Sequence, residues 1–168
     1  MEYNDIYDEN RNRTGRLHLR GTPWGAGEYG LVVCVWVYDG EGNILLTRRA
    51  PEKSFAGTWE NSGGAARAGE ESLQAIVREL FEETGIRAEA AEFELLTTVR
   101  DDCAFYDHYC LKKKVPLSEV VLQPGETDDV QWASFAKVHE LIERGEICKI
   151  IAKQFLHEER ELLIRQNV

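Results

Sequence analysis

The sequence predicts an α/β fold: a mixed β-sheet with helices packed on both faces. Three observations carry that expectation. Leu31 to Tyr38 is an unbroken apolar run rich in valine, as in a strand buried on both faces. Residues 69–85 read as one helix, with an acidic start, an apolar stripe and a closing glycine. The segments that follow return to strand-like patterns and then to two helical stretches, so strands and helices mix along the chain.

In chain order, Asp5 to Asn10 followed by Thr14-Gly15-Arg16 suggests two short strands around a polar turn. Residues 1–20 are therefore expected to form an extension that seals a homodimer or lengthens the protein's own sheet. Leu31 to Tyr38, the turn Asp39 to Asn43 and a strand from Ile44 to Arg48 make a hairpin. Residues 51–58 read as loop, and Trp59 to Ser62 as a short strand feeding Gly63 and Gly64. The helix opens at Gly69-Glu70-Glu71-Ser72, where the helix dipole favours acidic residues, and stops at Gly85, where a left-handed residue commonly ends a helix. Leu73, Ile76, Val77, Leu80 and Thr84 recur at three- and four-residue steps as its buried stripe. Strands follow near Glu92 to Arg100, Phe105 to Lys113 and Val130 to Ala133, then helices near Phe135 to Arg144 and Ile147 to Arg165. With no repeat, low-complexity tract or linker, the 168 residues are expected to form one domain, long enough to bury a core.

Composition narrows the functional classes. Twenty basic against thirty acidic residues leave a net charge of −10, which argues against general nucleic-acid binding. No apolar run approaches a membrane span, and the acidic opening MEYNDIYDENRNR is not a secretory signal, so the cytoplasm is the expected location. Cys34, Cys103, Cys110 and Cys148 lack paired metal spacing, and Cys34, inside an apolar run, reads as a small buried hydrophobe.

The candidate chemistry lies on the helix. At about 100° per residue, Glu79, Glu82 and Glu83 fall within about 100° of arc, away from the apolar stripe. Three carboxylates brought together are costly unless a cation lies between them. An all-oxygen site suits Mg²⁺, or Mn²⁺ in its place, with substrate phosphates completing the shell. Arg78 is placed to pin one carboxylate by a bidentate contact. Arg48, Arg49 and Lys53 flank the loop before the glycines and are candidates for binding substrate phosphates; strand alternation sends the two arginines to opposite faces. Trp59, Phe105 and Tyr106 are candidates for stacking on a base, though such aromatics are more often core. Trp24 and Trp36 are assigned to packing.

Residues 64–86 follow the spacing G-x5-E-x7-R-E-U-x-E-E-x-G-U, where U is aliphatic, through Gly64, Glu70, Arg78, Glu79, Leu80, Glu82, Glu83, Gly85 and Ile86. This resembles the Nudix box, the metal-binding loop and helix of enzymes that cleave diphosphates linked to another group. The resemblance implies a Nudix-type α/β/α sandwich and a hydrolase that cleaves the pyrophosphate bond of a nucleoside diphosphate linked to another moiety. Glu79, Glu82 and Glu83 would hold the metal, Glu70 would support them, Arg78 would orient a glutamate, and a carbonyl at Gly63 or Gly64 would add a ligand. A metal-activated water would attack phosphorus. A box glutamate, or Glu126 or Asp129 before Trp132, would accept its proton.

Upstream, ILLTRRAPEKSFAGTWENS and DIYDENRNRTG resemble isopentenyl-diphosphate isomerases. Aligned on Gly69-Glu70, however, Gly63 stands where those isomerases carry a cysteine, and Ala65 and Gly30 where they carry histidines. The isomerase reading is therefore the lesser alternative. A second alternative is a catalytically silent sensor of a nucleotide metabolite, although such sensors usually lose box glutamates.

Overall fold

The computed structural model describes residues 1–101 and 103–166. Its elements are β1 (Tyr3–Tyr7), β2 (Arg13–Leu19), β3 (Gly30–Tyr38), β4 (Asn43–Arg49), β5 (Trp59–Glu60), β6 (Ser62–Ala65), α1 (Ser72–Thr84), β7 (Phe93–Arg100), β8 (Ala104–Lys112), β9 (Thr127–Ser134), α2 (Phe135–Glu143) and α3 (Lys149–Gln166). The main sheet runs β5-β4-β3-β8-β7, with β6 on β3 and β9 on β4. β3 and β8 are parallel and the other pairs antiparallel, so the sheet is mixed as expected.

β3 is buried on both faces because its alternate residues serve two cores. Leu31, Val33, Val35 and Val37 cluster with Ala75, Ile76 and Leu80 of α1. Trp36 and Tyr38 cluster with Val138 and Leu141 of α2 and with Phe155 and Leu162 of α3. Helices thus cover both faces, α1 on one and α2 with α3 on the other.

Three local expectations change. The helix stripe is shifted: Leu73 is 38% exposed, whereas Ala75 and the charged Glu83 are buried. Glu83 and Ile76 point the same way because they are seven residues apart, two turns of helix. The β3–β4 hairpin meets only at Tyr38 and Ile44; beyond that the strands diverge, and β6 takes up β3 from Val32 to Val35. The segment expected as one strand from Trp59 to Ser62 divides accordingly, its first part pairing with β4 and its second with β3.

The amino-terminal extension does not lengthen the main sheet. β1 and β2 form their own two-stranded sheet, joined to the rest by a bridge between Tyr7 and Tyr29. It straps the approach to α1: Ala68 N–H donates to the Tyr3 carbonyl, Gly69 N–H to Asp5, and Arg13 to the Glu70 carbonyl. Arg11 adds a bidentate ion pair to the buried Asp107, which also accepts from Ser72 of α1 and Thr98.

Candidate functional site

α1 starts where the Gln74 side chain reaches back to the Glu71 N–H, and it ends at Gly85, whose φ of 71° returns its N–H to the Phe81 carbonyl. Between those caps Arg78 is the hub of the acidic face. It donates to both Glu70 oxygens at 2.7 and 2.8 Å, to Glu79 at 2.8 Å, to Glu82 at 3.1 Å and to the Ala65 carbonyl at 3.2 Å. Burial alone would depress the Arg78 pKa, but the hydrogen bonds to Glu70 and Glu79 reverse the sign and hold the guanidinium firmly charged. Glu70, where burial pulls upward, is nevertheless held below the usual carboxylate range by Arg78 and the Arg67 N–H. Arg67 adds a second bidentate contact to Glu82, both distances being 3.2 Å.

The glycine pair sits against this face because nothing larger fits. A Cβ at Gly64 would lie 2.5 Å from the Glu79 carboxylate. A Cβ at Gly63 would lie 2.3 Å from the Val33 carbonyl oxygen and 2.8 Å from Cys34, so β3 leaves no room for a side chain there.

Glu83 is the anomaly. It is 8% exposed, meets no basic side chain among the described residues, and is held by the Gly63 N–H at 3.3 Å and by Ser62. Burial, then the charges of Glu60 and Glu79, push its carboxyl well above the usual range. Glu79 and Glu60 are also raised, first by burial, with Arg78 and Arg49 respectively pulling the other way. Two acids that resist ionisation beside a third, buried carboxylate without a basic partner have the chemistry of a cation site with oxygen donors. Among the described residues, no three His, Cys, Asp or Glu side chains are gathered as ligands around one point, because Glu79 and Glu82 are turned toward Arg78 and Arg67. Carboxylate oxygens are the donor type a hard divalent cation takes.

Beside Gly63 and Glu60 a cavity of about 640 Å³ opens between the sheet and α3. Its apolar walls include Val32, Val99, Ile151 and the aromatic Tyr106. Its inner wall is polar. Cys34 is in register with Gly63 on one side and His108 on the other, so all three lie side by side across β6, β3 and β8. His108 Nδ1 is 2.5 Å from Glu158, whose other oxygen accepts from Trp36 Nε1 at 2.7 Å. The Gln154 amide donates to the Cys34 sulfur at 2.9 Å, and burial pushes that thiol up to about 12. Asn61, 3% exposed, lines the same wall with its amide against the Cys34 thiol. At the rim, Lys149 and Lys153 of α3 form no ion pair among the described residues.

A NUDIX domain profile matches residues 28–153 of the chain. The chain belongs to the Nudix family. An uncharacterized Nudix hydrolase of Listeria innocua is 32% identical over 148 residues, covering 87% of this chain and 88% of that protein. An isopentenyl-diphosphate Delta-isomerase of Halorhodospira halophila is 31% identical over 146 residues, covering 80% of this chain and 81% of that protein. Among solved structures, a Deinococcus radiodurans protein shares the fold with a TM-score of 0.79 at 22% identity, covering 93% of this chain and 98% of that one. The α/β Nudix architecture is therefore present, and the chain is a Nudix pyrophosphohydrolase. Nudix enzymes act on small-molecule diphosphates and generally use divalent metal ions. Among the described residues, no helix is long and apolar enough to cross a membrane.

The Nudix box residues expected from the sequence, Glu70, Arg78, Glu79, Glu82, Glu83 and Gly64, share one locality around the start of β6. The expected phosphate ligands are engaged in ion pairs, two of them with carboxylates at the edge of the site. Arg48 pairs with Asp128 at 2.7 Å and with Asp129 at 3.6 Å and lies over the Trp59 ring; Arg49 pairs with Glu60 at 2.6 Å; Lys53 pairs with Glu126. Of the three aromatic candidates, Tyr106 lines the cavity, Phe105 packs in the α1 core, and Trp59 packs beside the α2–α3 core. Trp24 stacks on His18 at 3.7 Å, and Trp36 is buried against Phe155. Glu60, Asn61, Arg67, His108, Glu158, Lys149 and Lys153 were not singled out by sequence. Glu60-Asn61, two polar residues between Trp59 and the glycines, was the available signal; the α3 residues lie some 85 positions away and gave none.

Proposed function

We propose that this chain is a metal-dependent hydrolase of the pyrophosphate bond in nucleoside diphosphates linked to another moiety. The observation that carries this reading is the buried Glu83 carboxylate, which faces Glu60 and Glu79 without a basic partner. In our reading Glu79, Glu82 and Glu83, with a backbone carbonyl at Gly63 or Gly64, hold Mg²⁺, or Mn²⁺ in its place. A divalent cation there supplies water activation and neutralises charge developing on the leaving phosphate.

The chain's own residues supply positioning. Arg78, fixed by Glu70, orients Glu79 and Glu82 from one side. Glu126, whose charge is felt by Glu60 and which is paired to Lys53, is our candidate to accept the proton of the attacking water. The phosphate-contact role first expected of Arg48, Arg49 and Lys53 falls better to Lys149 and Lys153. They line the cavity without an ion pair among the described residues, whereas the other three would each have to give one up.

The isomerase alternative is disfavoured by Gly63, where β3 would collide with the Cβ of any cysteine. The nearby Cys34 thiol, pushed up to about 12 by burial, is a poor proton donor to an alkene.

The test is a panel of nucleoside diphosphate-linked compounds, nucleoside triphosphates and isoprenoid diphosphates, each with Mg²⁺, Mn²⁺ or EDTA, with products followed chromatographically. Expected is cleavage at a P–O–P bond that EDTA abolishes and Glu82→Gln lowers by at least about 10²-fold, the scale at which positioned electrostatic groups act. Full turnover in metal-stripped protein, or a near wild-type rate in the variant, would overturn the reading.

A further inference from the structure

The amino-terminal strand meets the acidic face of the box helix through Arg67. β1 lies along the segment between the glycines and α1. The Asn4 amide donates to the Ala66 carbonyl at 2.6 Å, Ala68 N–H to the Tyr3 carbonyl at 2.8 Å, and Gly69 N–H to Asp5 at 2.8 Å. That alignment sets Glu2 beside Arg67. Arg67 Nε donates to Glu2 at 3.2 Å, and its two terminal nitrogens donate to the two Glu82 oxygens at 3.2 Å each. The Arg67 main chain is fixed too, its N–H donating to Glu70 at 2.8 Å.

The two arginines on Glu82 differ in kind. Arg78 is shared among Glu70, Glu79, Glu82 and the Ala65 carbonyl, and its side chain is 14% exposed. Arg67 is 43% exposed, and its side-chain hydrogen bonds go to two carboxylates only, Glu82 inside the box and Glu2 outside it. Charge-assisted N–H···O bonds ordinarily measure about 2.7–2.9 Å. Glu2 reaches that range with Arg20, at 2.7 Å, whereas every Arg67 side-chain contact is longer, as suits one guanidinium divided between two partners.

A guanidinium and a divalent cation compete for the same carboxylate lone pairs, and the two positive charges repel at contact distance. Both Glu82 oxygens already accept from Arg67. Glu2 acts in the opposite sense, because it draws on the same guanidinium from outside the box.

We propose that Arg67 is a counterion built into the box, competing with the divalent cation for Glu82, and that Glu2 weakens this competition, so that the amino-terminal strand sets the metal affinity. The proposal rests on the reading of Glu82 as a metal ligand, and its test needs no turnover. Mn²⁺ is titrated into the substrate-free protein, and the free ion is followed by its electron paramagnetic resonance signal.

Arg67→Gln is expected to tighten Mn²⁺ binding about three-fold or more, and Glu2→Gln to weaken it by a similar factor, the scale of a partly exposed ion pair. A loosened fold would weaken both. The double variant is expected to bind as Arg67→Gln does, because Glu2 acts through the guanidinium. A general effect of the Glu2 charge would instead weaken binding equally in both backgrounds. Should Arg67→Gln not fold, Arg67→Met, unbranched and uncharged, reads the same difference. Wild-type or weaker binding by the Arg67 variant would overturn the proposal, as would a Glu2→Gln effect that survives in the double variant. Glu82→Gln keeps the two readings apart. It is expected to weaken binding at least about ten-fold, the scale on which even outer partners of a metal site act. Wild-type affinity in Glu82→Gln would be a failure of the metal-site reading itself.

Discussion

Replacing Glu83 by glutamine tests whether the box is built around a missing charge. The carboxylate is 8% exposed, its one backbone hydrogen bond is long at 3.3 Å, and the charges that act on it are those of the acids Glu60 and Glu79. Its pKa is raised on folding, so between the unfolded value and the folded one the native state binds more protons than the unfolded state. Stability from this group therefore falls as pH rises through that window. Glutamine keeps the shape and carries no charge. Relieving an unpaired buried charge is worth at least about 1 kcal/mol, and each kcal/mol moves Tm by about 2–4 °C in a chain of this size. In EDTA at pH 8, Glu83→Gln is expected to melt a few degrees above wild type, with the gap closing toward pH 5. Adding Mg²⁺ is expected to stabilise the wild type and leave the variant nearly unchanged, since only the wild type presents the full carboxylate set. Calorimetric melting at both pH values, with and without metal, decides the matter. A variant less stable than wild type at pH 8 in EDTA, or a gap independent of pH, would refute the reasoning.

Arg78→Ala removes one guanidinium from Glu70, Glu79, Glu82 and the Ala65 carbonyl together, and is expected to cost about 3–5 kcal/mol, the usual penalty for breaking a buried ion pair from one side. A Tm within a degree or two of wild type would show that the carboxylates do not depend on it. Lys149→Gln with Lys153→Gln is expected to raise KM for a diphosphate substrate several-fold at low salt and progressively less at high salt, because exposed cations act through a screened field. Unchanged KM across salt concentrations would return the phosphate role to Arg48, Arg49 and Lys53.

The sequence by itself determined the box, the helix that carries it and the general order of elements. Those features are local: a fixed spacing of glycines and acids, a helical period and a valine run each act within a few turns of chain, where spacing alone sets which side chains share a face. The helix stripe placed Leu73 inside and Glu83 outside, because periodicity ranks positions by apolar character and misses a carboxylate buried for its chemistry. Arg48, Arg49 and Lys53 looked like free cations until the fold set Asp128, Glu60 and Glu126 beside them. Only the tertiary structure decided the rest. The divergence of β3 from β4 brings Gly63 next to Cys34, with His108 beyond it. The packing of α3 across the sheet then closes a cavity with Glu158, Gln154, Lys149 and Lys153, residues far from the box in sequence. The reason is physical: an ion pair, a buried polar contact and a cavity are each properties of two or more chain segments at contact distance. No single stretch of sequence carries that distance.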